Sequence, residues 1–200
     1  MTTSHLAALA LVYLAGLVVL RRQRHGLIGY AWTSFGLAAI LILAGQIGGW
    51  ERPLGALQIS LLALLGKAFG IQLAQLEPGS VVVPDPTGWS VLTIGVECST
   101  LIEASVFAGL MLFYPRFAPG ERVLRLTAGL GATFLVNLAR LAVIIGMVAT
   151  LGKPAVPAAH AIVGRLVFFV GIVIVYWRML TLPTLRMVRR DLEVTGRAVL

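Results

Sequence analysis

The chain has 200 residues, of which 58% are hydrophobic and 12% charged, with a net charge of +8 and a mean hydropathy of +0.94. Soluble domains are about half apolar and about a quarter charged, so a soluble fold and a disordered chain are both excluded, and the single cysteine, Cys98, excludes a disulfide scaffold. What remains is an all-α polytopic membrane protein, in which a basic excess reads as a topology signal and not as nucleic-acid binding.

A helix needs about 20 apolar residues to cross a bilayer, and five stretches come near that length: roughly 5–20, 27–49, 98–114, 124–150 and 161–180. The first has no positive segment ahead of it and is followed by Arg21-Arg22-Gln23-Arg24, the order of a retained anchor whose far end faces the cytoplasm. Threading onward puts 21–26, 115–123 and 181–200 inside and 50–97 and 151–160 outside. Eleven of the sixteen basic residues then fall inside: Arg21, Arg22, Arg24, Arg116, Arg122, Arg125, Arg178, Arg186, Arg189, Arg190 and Arg197. Arg52, Lys67 and Lys153 fall outside, and Arg140 and Arg165 within spans. This asymmetry places a multi-pass protein in the cytoplasmic membrane.

The segment 54–76 is apolar but carries Gln58, Ser60, Lys67, Gln72 and Gln75. Were it to cross, the Arg116 to Arg125 cluster would face outward, so it is read as an outer-face interfacial or re-entrant helix. Val81 to Val83 and Trp89 to Val96, on either side of Pro84-Asp85-Pro86-Thr87-Gly88, predict a short β-hairpin outside the membrane. Its edge is open to pairing with water or a peptide. Residues 1–182 form one integral membrane domain, and 183–200, headed by Pro183, a basic cytoplasmic surface helix.

Ionisable residues inside spans cost roughly 2.5–3.5 kcal/mol each on insertion scales and need a reason. At about 1.5 Å of rise per residue, Arg140 lies about 24 Å beyond Leu124, in the outer half of its span, and Glu103 and Arg165 lie about 8 Å inside the outer boundary. Cys98 and His160 begin spans at that same boundary, and Asn137 is one turn below Arg140. A thiol, an imidazole and a guanidinium in one layer are the parts of a cysteine acyl-transfer site: nucleophile, general base and oxyanion donor. Ion pairing with His160 and Arg140 would lower the thiol pKa, and a helix beginning near Cys98 would add its dipole. Glu97 or Glu103 would orient His160 or neutralise Arg140.

Plainer readings stand beside these. Cys98 alone reads as a packing residue, His160 beside Pro154 and Pro157 as a loop residue, and Glu103 with Arg140 or Arg165 as a structural salt bridge. Ser90, Ser99 and Thr100 read as caps or helix-start residues. His5 and His25 sit at span ends and suggest no role. One cysteine and one outer histidine fall short of a metal ligand set, and no cofactor is expected.

Glu97-Cys98-Ser99 entering a span, Asn137-Leu138-Ala139-Arg140 in the next and His160 heading the following one resemble the exosortase and archaeosortase family of membrane cysteine transpeptidases. These pieces resemble the family's Cys-Ser-Gly type motif, its Asn-x-x-Arg motif and its late histidine, in the same order, over about residues 75–180. Thr100-Leu101-Ile102-Glu103 replaces the family's more usual Gly-Leu-Arg, which, with the acidic Glu97 and Glu103, looks like a divergent subfamily. The resemblance implies a peptidase or transpeptidase acting on exported proteins with a C-terminal sorting signal of motif, hydrophobic helix and basic tail. It implies Cys98 as nucleophile, His160 as base and then acid, and Arg140 as oxyanion or thiolate partner. An envelope amine or a lipid head group would accept the acyl group. The competing function is a non-enzymatic membrane subunit for export or assembly of surface polymers, with Glu103, Arg140 and Arg165 as a structural charge network. A small transporter fits less well, since these charges cluster at one face and no internal repeat is evident.

Overall fold

The computed structural model describes residues 3–23 and 26–198. Arg24 and His25, and the last two residues of the tail, lie outside the described residues. The chain is mostly helical: α1 (Thr3–Gln23), α2 (Gly26–Gly48), α3 (Glu51–Ala68), α4 (Leu101–Leu112), α5 (Pro119–Leu151), α6 (Val156–Ala158), α7 (Gly164–Tyr176) and α8 (Leu182–Ala198). Between α3 and α4 stands a small sheet of β1 (Ala74–Glu77), β2 (Ser80–Asp85) and β3 (Gly88–Thr93).

Among the described residues, three helical stretches are long and apolar enough to cross a membrane: Gly26–Gly48, Pro119–Leu151 and the continuous run Lys153–Glu193. The other two expected spans are shorter apolar helices, Ser4–Leu20 and Leu101–Leu112. The span expected over 98–114 is cut to α4 because residues 96–98 form a 3-10 turn and Thr100 takes a left-handed backbone (φ 72°) before the helix starts. The outward faces of the long helices carry uncovered side chains such as Leu27, Leu124 and Phe169. Such faces are compatible with a membrane protein.

Helix α1 packs on α2, α2 on α4, α4 on α5 and α5 on α7. The expected helix over 54–76 is α3, which is shorter. Gly70 (φ 74°) ends it in a Schellman turn, the Ile71 N–H donating to Gly66 O at 2.8 Å and the Gly70 N–H to Lys67 O at 3.3 Å. Its buried residues Gly55, Gln58, Ile59, Leu62 and Gly66 recur at helical spacing and form one inner face.

At Pro183, the head of the expected tail, helix is continuous: a π turn at Trp177–Thr181 leads straight into α8. Proline cannot donate to the carbonyl four residues back; that carbonyl, on Met179, accepts from Arg125 Nη1 at 3.4 Å instead. Tyr114 Oη and Thr184 Oγ1, 2.6 Å apart, fasten α8 to the end of α4.

The predicted hairpin is present as β2 and β3, joined through Pro86-Thr87 with Asp85 opposite Gly88. A third strand, β1, pairs with β2 across a bulge between Gln75 and Glu77. Alternation on β2 buries Val81 and Val83. With Ile94 these pack onto Ile59 and Leu62 of α3 and Leu138, Leu141, Ile145 and Val148 of α5, and Cys98 belongs to the same cluster. A second core of Phe107, Met111, Phe117 and Val175 closes the opposite end of the bundle.

Candidate functional site

Cys98 ends the 3-10 turn that links the sheet to α4, and it is buried. Three polar groups from α5 and α3 hold this turn. Asn137 Nδ2 donates to Cys98 O at 2.6 Å, and Arg140 Nη1 to Glu97 O at 3.4 Å. Gln58 Nε2 donates to Thr100 Oγ1 at 2.6 Å. Asn137 and Arg140 lie one turn apart on one face of α5, so both reach the same segment. Ser99 closes the turn on itself, its hydroxyl donating to Val96 O at 2.9 Å.

The second arm of the Arg140 fork, Nη2, stands 3.6 Å from Cys98 Sγ. Arg140 is only 5% exposed; its guanidinium lies 5.4 Å from the centroid of the Phe168 ring on α7 and keeps Nε buried without a hydrogen-bond partner. His160, half-buried in the π turn Ala159–Val163, lines with Cys98 a cavity of about 50 Å³. Val81, Leu92, Ile94, Leu141, Ile144 and Ile145 supply its apolar walls. No hydrogen bond joins the imidazole to the thiol in this state, although the two side chains share the cavity.

Cys98, Arg140, His160, Asn137 and Ser99 are thus brought together, and the remaining expected contacts are not. Glu97 is exposed and serves the site through its backbone carbonyl; no hydrogen bond or ion pair ties its carboxylate to His160 or Arg140. Glu103, on α4, keeps Oε2 buried without a partner. Arg165 is exposed. Ion pairs join Arg116 to Asp191, Arg125 to Glu121 and Arg189 to Glu193, whereas Glu103, Arg140 and Arg165 are not joined to one another by a direct salt bridge. The anticipated lowering of the thiol pKa is also reversed. Burial pushes Cys98 up from its ordinary value, Arg140 pulls against that, and the charges of Glu97 and Glu103 add to the rise. The dipole of α4 acts from further off than expected, since that helix starts only at Leu101.

Thr100, expected as a cap or helix-start residue, stands at the N-cap position of α4, but its side chain makes no capping bond and accepts from Gln58 instead. Gln58 is fully buried, with Oε1 unpartnered. A glutamine in an apolar run was the visible sign of it. Its partner lies 42 residues away, beyond the reach of local pattern. Among the described residues, no group of three metal-ligating side chains occurs. Comparison of the chain with protein-family models, with curated proteins and with solved structures finds no match.

Proposed function

We propose that the protein is an exosortase-like cysteine peptidase or transpeptidase of the cytoplasmic membrane, with its site at the extracytoplasmic face. Its substrates are exported proteins that end in a motif, a hydrophobic helix and a basic tail. The observation that carries this reading is the approach of Arg140 Nη2 to Cys98 Sγ in a cavity that His160 also lines. A buried cation beside a buried thiol stabilises negative charge wherever it develops there, on the sulfur or on an oxygen bonded to the attacked carbon.

In the forward half-reaction His160 takes the Cys98 proton as sulfur bonds to the scissile carbonyl carbon. The carbonyl electron pair moves onto oxygen, facing Arg140. Collapse expels the amine of the released tail, which receives the proton from His160, and leaves a thioester on Cys98. An acceptor amine, from the envelope or a lipid head group, then gives its proton to His160, attacks the thioester and restores the thiol. Asn137 and Ser99 act by fixing the turn that carries the sulfur.

The test is co-expression with an exported protein carrying such a signal. Cys98→Ser, Cys98→Ala and His160→Ala are expected to stop the mobility shift of the cleaved product while the variants still insert. Normal processing in Cys98→Ala refutes the nucleophile. An impermeant thiol reagent added from outside tests the side; labelling confined to the cytoplasmic face overturns the topology.

A further inference from the structure

Strand β3 runs directly into the turn that bears Cys98, and among the described residues no strand lies beside its far edge. The direction of its backbone groups follows from the ladder. Ile94 N–H donates to Gly79 O at 2.7 Å, and the closing pair of the two-residue hairpin is Asp85 with Gly88. Hydrogen-bonded and non-bonded pairs alternate in an antiparallel ladder. Gly88, Ser90, Leu92 and Ile94 therefore turn their amides and carbonyls toward β2, and Trp89, Val91 and Thr93 turn theirs away. Pro84, opposite Trp89, agrees with this parity, because a proline has no N–H to give at a bonded pair. Trp89 and Val91 are 62% and 48% exposed and Thr93 is exposed as well, so the residues of this row lie at the surface. The other edge of the sheet, β1, is interrupted by its bulge and carries Glu77, features that blunt strand pairing.

Three outward backbone pairs, about 6.8 Å apart by strand geometry, match one kind of occupant, an extended peptide. At the Cys98 end of that edge, Leu92, Thr93 and Ile94 form one wall of the cavity shared by the thiol and His160. We propose that substrate adds as a strand to the outer edge of β3, and that the 50 Å³ cavity admits a small aliphatic side chain beside the bond Cys98 attacks. A cavity known to take benzene measures about 150 Å³, so the cavity favours a small side chain over an aromatic one. This inference rests on Cys98 as nucleophile, but it concerns a separate property, how the peptide is held and which residue precedes the cut.

The experiment uses the full chain in lipid nanodiscs and two acetyl-tripeptide chloromethyl ketones, Val-Thr-Ala and Val-Thr-Phe. Each labelling rate of Cys98 is divided by the chloroacetamide rate of the same variant, which removes differences in thiol reactivity and folding. The alanine probe is expected to react at least roughly tenfold faster than the phenylalanine probe, with that ratio collapsing toward one in Ile144→Ala, which opens the cavity wall. Val91→Pro, which deletes one outward N–H, is expected to slow the alanine probe by roughly tenfold. N-methylation of one peptide nitrogen removes such a bond from the other side and needs no protein variant. Rates indifferent to side-chain size, to Val91→Pro and to N-methylation overturn strand addition while leaving the nucleophile in place. Conversely, fluorescent Val-Thr-Ala amide binding to Cys98→Ser protein with these same sensitivities, while neither ketone alkylates the wild-type thiol, supports strand addition and refutes the nucleophile.

Discussion

Arg140 spans the Cys98 turn with both arms of its fork, Nη2 at 3.6 Å from Cys98 Sγ and Nη1 at 3.4 Å from Glu97 O. One guanidinium thus fixes the backbone that carries the thiol and supplies the charge beside it. Burial raises the thiol pKa and Arg140 opposes that rise, so the guanidinium works against desolvation of the thiolate. Alkylation of Cys98 by chloroacetamide is therefore expected to be slow at neutral pH, with a midpoint above the ordinary thiol value of about 8.5. Arg140→Ala moves that midpoint further up, and Arg140→Lys, which keeps the charge but not the fork, moves it less. On the proposed mechanism, processing in Arg140→Ala is expected to fall by roughly 10²–10³-fold, the cost of one missing oxyanion donor. An unchanged pH profile in Arg140→Ala would show that the guanidinium does not act on the sulfur.

Gln58 and Thr100 form the other anchor of this turn, a buried 2.6 Å bond between α3 and a threonine held at φ 72°. Thr100→Ala strands the Gln58 amide and Gln58→Ala strands the threonine hydroxyl, each at a cost of about 1–3 kcal/mol. The double variant Gln58→Leu with Thr100→Ala removes both polar groups and is expected to melt above the additive sum of the single changes. Thermal melting in detergent reads this directly, and strict additivity sinks the coupling.

The contrast between these two anchors shows what the sequence makes legible. Arg140 and Asn137 stand out because polar residues in an apolar run are conspicuous, and counting helix rise places them at the depth of Cys98. The hairpin is visible from Val81 to Val83, the Pro/Gly turn and Trp89. β1 is missed because Gln72 and Gln75 fall within the apolar run 54–76, read as one helix that Gly70 in fact terminates. The left-handed Thr100 has no signature either, since a β-branched residue is among the least expected there. It shortens α4 and displaces the expected span. Pairings such as Gln58 with Thr100 depend on tertiary approach and leave no local pattern.

Helices α2 and α4 meet at Gly109, where an added Cβ would run into the backbone carbonyl oxygen of Ser34. Backbone cannot rotate aside as a side chain can, so Gly109→Ala forces the helices apart, with a cost of about 1–3 kcal/mol from overpacking. Gly131, on α5, meets nothing within 4 Å. Gly131→Ala is thus expected to be neutral or to stabilise by up to about 1 kcal/mol through helix propensity. Melting temperatures of the two variants should separate in opposite directions. Equal effects would mean that α2 and α4 are not in close contact at this point.

Asp85 shapes the turn that starts β3. Its carboxylate accepts from Ser90 Oγ at 2.6 Å, from the Thr87 N–H at 2.7 Å and from Thr87 Oγ1. The Ser90 bond, with those from Thr87, holds its pKa below the ordinary carboxylate value. A depressed carboxyl contributes order above its unfolded pKa, about 3.9, and loses that contribution as pH falls through the folded value. Amide hydrogen exchange over residues 85–93 is therefore expected to be level from neutral pH to about 5, after correction for intrinsic rates, and to accelerate below about 4. Asp85→Asn keeps a carbonyl acceptor without the charge, so exchange is faster at neutral pH and its acid dependence is lost. An unaltered acid dependence in Asp85→Asn would assign the loosening to another group. Since β3 leads directly to the Cys98 turn, loss of processing at the same acid pH in the wild type, but not as a further step in Asp85→Asn, would tie the order of this strand to the chemistry of the thiol.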